Sequence, residues 1–184
     1  MKLLYTSMLL LHVLGVVVWV GGMFLMHVAV RPAAVEQLQP PQRLPLIASV
    51  LRRFFFWVAI AVVAVLLSGI GMILEGGGFR NAHLSVHVMF AIGLAMMAIF
   101  LHIRLAPFKR MQMAVASSDW PVAARHLEQV RLLVTINLVL GTLTIAVATI
   151  GREKPALVML GAVNYLTGQW FDMAAITKAG HDAG

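Results

Sequence analysis

The sequence is dominated by apolar runs that carry almost no charge. From Leu3 to Val30 there is no Asp, Glu, Lys or Arg. A helix needs roughly 20 apolar residues to cross a hydrocarbon core of about 30 Å. Four stretches qualify: Leu3 to Val30, Phe54 to Leu74, Leu84 to Ala106 and Leu127 to Ile150. In lipid a chain must satisfy its own backbone hydrogen bonds, so runs of this length and composition can only be helices. The expected fold is all-α, an integral membrane four-helix bundle. The first run is expected to stay as a span. It is too long for a cleaved signal peptide and continues through Trp19, Gly21 and Gly22 to His27 without a small-residue cleavage site.

Composition supports this. Charged residues make up 11% of the 184 residues and hydrophobic ones 61%, against about 25% charged in soluble domains. Disordered chains, ordinary soluble enzymes and nucleic-acid binders are excluded. The net charge of +7 comes from Lys and Arg placed between the apolar runs, where they act as topology signals and headgroup anchors. The absence of cysteine excludes disulfides, thiolate metal sites, iron–sulfur clusters and Cys-attached haem.

The connections differ in character. Residues 31–53 hold Pro32, Pro40, Pro41 and Pro45 and end in Arg52-Arg53. Residues 75–83 form a Gly-rich turn. Residues 107–126 hold Pro107, Lys109-Arg110 and the helix-start signal Ser118-Asp119-Trp120-Pro121. These features predict a bundle over 1–152 with connecting helices on the cytoplasmic side. The tail, 153–184, is read as an interfacial helix over 156–176 anchored by Trp170 rather than a fifth span. The first and third connections carry Arg31, Arg43, Arg52, Arg53, Arg104, Lys109, Arg110, Arg125 and Arg131. The other side carries Lys2, Arg80, Arg152, Lys154 and Lys178. The positive-inside rule then puts both termini outward in a bacterial-type inner membrane.

Ionisable residues inside spans are costly and point to function. Span one contains His12 and His27. Span three contains His83, His87 and His102. His12 to His27 and His87 to His102 are both 15 residues apart, roughly 22 Å along a helix and about 60° around it. Spans one and three run the same way. His12 is therefore expected to face His87, and His27 to face His102. Paired imidazoles on facing helices are one way to hold haem iron. Two b-type haems are expected on these pairs, with His83 as a substitute for His87. Gly15 and Gly22 would leave room for the porphyrin, and Arg31, Arg52, Arg53 and Arg104 would receive the inner propionates.

Two other readings remain open. The histidines could simply hydrogen-bond neighbouring helices, for which Ser68, Thr135, Asn137, Thr142 and Thr144 are available. Alternatively Met23, Met26, His27, Met96, Met97 and His102 could serve a copper ion, since thioether and imidazole suit that metal. Met is also a common filler of apolar helices.

The run Leu11-His12-Val13-Leu14-Gly15-Val16-Val17-Val18-Trp19-Val20-Gly21-Gly22-Met23-Phe24 resembles the first span of small CopD-family membrane proteins. So do Arg31-Pro32-Ala33, Leu51-Arg52-Arg53-Phe54-Phe55, Ala106-Pro107-Phe108-Lys109-Arg110, and the stretch from Asp119-Trp120-Pro121 through Asn137-Leu138. The resemblance covers residues 8–152 and implies copper resistance or uptake. A more distant likeness is to the HemJ-type protoporphyrinogen oxidases, which bind b-type haem; there His12, Trp19, Gly22, His87 and His102 match. Met89 stands where those enzymes carry a Lys. The expected function is a di-haem membrane cytochrome moving electrons across the bilayer, with quinone, superoxide or a redox partner protein at its ends. The alternatives are copper transport and a haem-dependent porphyrinogen oxidase. Lipid is the expected surrounding partner, an oligomer is allowed, and no nucleic acid is expected.

Overall fold

The computed structural model describes residues 2–150, all of whose regular structure is helical. Four helices are long and apolar enough to cross a membrane. They are α1 (Leu3–Gln37), α2 (Pro40–Glu75), α3 (Leu84–Leu105) and α5 (Trp120–Ile150), with the short α4 (Pro107–Ala116) between the last two. The interfacial helix expected over 156–176 lies outside the described residues.

The connection expected over 31–53 is largely helical. Only Leu38 and Gln39, both extended, separate α1 from α2. Pro40 and Pro41 sit in the first turn of α2, where no backbone N–H is needed. Pro45 lies one turn deeper and forfeits an intrahelical bond. Packing compensates, because its neighbours Leu44, Ile47, Ala48 and Leu51 are buried. The Gly-rich turn between α2 and α3 forms as expected. Gly77 and Gly78 take φ +92° and +84°, a region that side-chain-bearing residues rarely adopt.

In lipid, helix association depends on close packing rather than on the exclusion of water. The α1–α2 contact shows this. A Cβ on Gly15 would stand 2.6 Å from Val65 Cγ2 and 3.2 Å from the Ala61 carbonyl oxygen. A Cβ on Gly22 would run into the Phe54 ring. Aromatic rings fill the centre: Trp19 meets Phe100 at 6.3 Å, and Phe55 meets Phe100 at 5.8 Å and Phe108 at 5.0 Å, all edge to face. Phe55 is 1% exposed. Through Phe108, Met111 and Ala114, α4 buries one face, while Lys109 and Arg110 stay exposed. Ser118 at φ +57° turns the chain, and Asp119 Oδ1 accepts from Val122 N at 3.2 Å, which caps the start of α5.

Candidate functional site

The inward face of α1 carries the candidate ligands. Met8, His12, Gly15, Trp19, Met23, Met26 and His27 are all buried or half-buried, while Leu14, Val18 and Leu25 between them are exposed. A four-residue repeat on an α-helix drifts by about 40° per step. From Gly15 to His27 that drift would carry the stripe off the interface. Two π-turns, Val17–Gly21 and Met26–Val30, interrupt the α-helix here. The first of them lies between Gly15 and Met23, and its wider i→i+5 turn reduces the drift along Gly15, Trp19, Met23 and His27.

The stripe faces α2 at its first end. The Met8 sulfur lies against Gly71, where a Cβ would stand 2.6 Å away. His12 Nδ1 is 3.1 Å from Ser68 Oγ. Ser68 donates its single hydroxyl proton to the Ala64 carbonyl at 2.6 Å. With that proton engaged, Ser68 accepts from His12 in the tautomer that carries the imidazole proton on Nδ1. Gly69 makes room for this ring, with His12 Cε1 3.3 Å from where its Cβ would be.

At mid-depth α5 contributes Asn137, 1% exposed. Its Nδ2 donates to the Met96 carbonyl at 3.1 Å, and its Oδ1 is buried without a partner. Asn137 lines a small cleft of about 10 Å³ together with Trp19, Met23, Phe54 and Phe100. That volume is close to the room one water-sized particle needs.

At the far end His27 lines a cleft of about 60 Å³ with Met26 and Arg31 of α1, Arg43, Ile47 and Leu51 of α2, and Leu127, Val130, Arg131 and Val134 of α5. Glu128 accepts from Arg131 at 2.9 and 2.8 Å and approaches Arg31 at 3.9 Å.

The remaining expected ligands lie elsewhere. His83 caps α3, accepting from Ser85 N at 3.4 Å. The His87 ring lies 6.0 Å from Phe79, and both His87 and His102 are exposed. Arg52, Arg53 and Arg104 are exposed and outside the cleft. A haem between His12 and His87, or between His27 and His102, needs a porphyrin-wide gap between α1 and α3. Trp19, Met23, Phe55, Met96 and Phe100 fill that space. The room above Gly15 and Gly22, expected for a porphyrin, is taken by α2 because the two helices close on each other there. The packed interior therefore does not fit a haem on these pairs. Among the described residues no group of three or more His, Cys, Asp or Glu could hold a metal ion, which leaves mixed His and Met sets.

A family profile described as copper resistance protein D matches residues 48–150, more than half of the chain. The chain belongs to that family. The match runs from within α2 to the end of α5, so α1 and its stripe lie outside it. Family and helices together make this a multi-pass membrane protein. A stretch of 32 residues is similar to kynureninases, 79% identical to that of Myxococcus xanthus and 69% to that of Christiangramia forsetii. It covers 17% of this chain and only 8% of each of those relatives, too little to carry an activity across. No solved structure matches.

Proposed function

We propose that the protein binds copper(I) within the membrane and passes it along the inward stripe of α1. The observation that carries this reading is that Met8, His12, Met23, Met26 and His27 share one face. Met8 to His27 is 19 residues, about 28 Å of rise, close to the thickness of a hydrocarbon core. Thioether and imidazole are the ligands a soft monovalent ion prefers. At mid-depth Met23, 2% exposed, borders one small cleft, and this is where the proposal places the middle rung. Membership of the copper resistance protein D family supports the same cargo.

Liposomes holding the purified protein, with a copper(I)-selective dye sealed inside, test the reading. Uptake above that of empty liposomes is expected. Met23→Leu keeps the volume and removes the sulfur, and it should cut uptake about tenfold or more. Equal uptake by wild type and Met23→Leu would overturn the ladder. The second reading is electron transfer through two b-type haems. It is favoured by His27 standing beside three guanidiniums able to receive carboxylates, and it requires α1 and α3 to part. Two reducible haem bands in the visible spectrum would promote it.

A further inference from the structure

We infer that the cleft around Arg31, Arg43 and Arg131 holds the phosphodiester headgroup of an anionic phospholipid. Arg31 is the first charged residue after the apolar run of α1, and Arg131 is the last charged residue of α5, after which 132–150 carry none. Both therefore stand at the depth where lipid phosphates lie. Arg43 reaches the same place from α2. Three guanidiniums line the cleft, and the one carboxylate beside them, Glu128, pairs closely with Arg131 and only at 3.9 Å with Arg31. Arg43 has no acidic partner among the described residues. The cleft thus keeps positive charge to spare.

Its walls are the second half of the argument. Met26, Ile47, Leu51, Leu127, Val130 and Val134 give it an apolar lining. A free anion gains nothing from such walls, whereas the glycerol and first acyl carbons of a lipid are matched by them. The volume of about 60 Å³ holds roughly four to six water-sized groups, the size of a phosphate with its ester carbons. Basic pockets between spans take anionic headgroups by this combination. Guanidinium is suited to it because it bonds phosphate oxygens in pairs.

The test uses the full chain in mild detergent, with lipid retention read by native mass spectrometry. Phosphatidylglycerol should be retained in preference to phosphatidylcholine. Arg43→Gln should weaken that preference about fivefold, the contribution of one surface guanidinium, while Arg52→Gln, outside the cleft, should leave it unchanged. Inorganic phosphate should not displace the lipid. Equal retention of the two lipids would overturn the inference. So would an Arg52→Gln loss as large as that of Arg43→Gln, or displacement by inorganic phosphate, which would mark a free-anion site. Arg43→Lys checks folding: it keeps the charge and should retain part of the preference.

Discussion

Replacing Asn137 by leucine separates stability from cargo handling. The side chain makes one hydrogen bond, Nδ2 to the Met96 carbonyl at 3.1 Å, and leaves Oδ1 buried without a partner. A polar contact inside a membrane bundle contributes about 0.6 kcal/mol on average. An unmet buried acceptor costs about 1–3 kcal/mol. Leucine removes both. Met96 lies mid-helix in α3, so its carbonyl keeps its partner four residues on and is not orphaned in turn. Leucine has the same branched shape as asparagine, with two methyls in place of the amide oxygen and nitrogen, and the small cleft beside it takes up the extra volume. The expected change is a gain of about 0.5–2 kcal/mol in resistance to unfolding. Reversible denaturation of the detergent-solubilised protein, followed by far-ultraviolet circular dichroism, measures it. Under the proposed function the same variant should keep copper uptake, since the thioether and imidazole side chains of α1 are untouched. A variant that loses more than about 1 kcal/mol would show that Oδ1 has a partner, and the reasoning on this residue would fail.

Two further outcomes are expected. Gly15→Leu should loosen α1 from α2 and cost about 1–3 kcal/mol, because even a Cβ there meets Val65 Cγ2 at 2.6 Å; the same denaturation assay checks it, and an unchanged midpoint would mean the two helices do not close at this point. Arg52-Arg53 and Lys109-Arg110 are expected to face the cytoplasm, so a thiol reagent that cannot cross membranes should fail to label Lys109→Cys in intact cells and label it once they are opened.

Much of the fold was legible because the bilayer allows few answers. Apolar length identified all four spans, and Ser118-Asp119-Trp120-Pro121 marked the start of α5. The reach of the helices was less legible: Pro40, Pro41 and Pro45 fell in a connection expected over 31–53, yet each stands early in α2 itself, where proline is tolerated or packing offsets it. Asn137 was readable as an interhelical hydrogen-bonding group, and Ser68 as a partner for a histidine; both make such contacts. Arg43, Arg131 and Glu128 were visible only as charges, because periodicity within each helix cannot say which residues of three helices converge on one cleft.

The histidine geometry shows where such counting stops. The 60° separation of His12 and His27 assumes 3.6 residues per turn throughout, but two π-turns lie between or beside them. A π-turn has no compositional signal; Val17–Gly21 reads like any apolar helix. It appears where packing demands it, and here the demand is a four-residue repeat of inward residues, Gly15, Trp19, Met23 and His27. Parallel direction allowed α1 to offer its histidines to α3. The close approach at Gly15 and Gly22 turned His12 toward α2 instead, and the Trp19–Phe100 contact closed the gap that remained. The glycines first read as room for a cofactor are thus what brings the helices together. The soft ligands are left on one packed seam, which suits an ion small enough to travel between side chains better than a ring that must displace them.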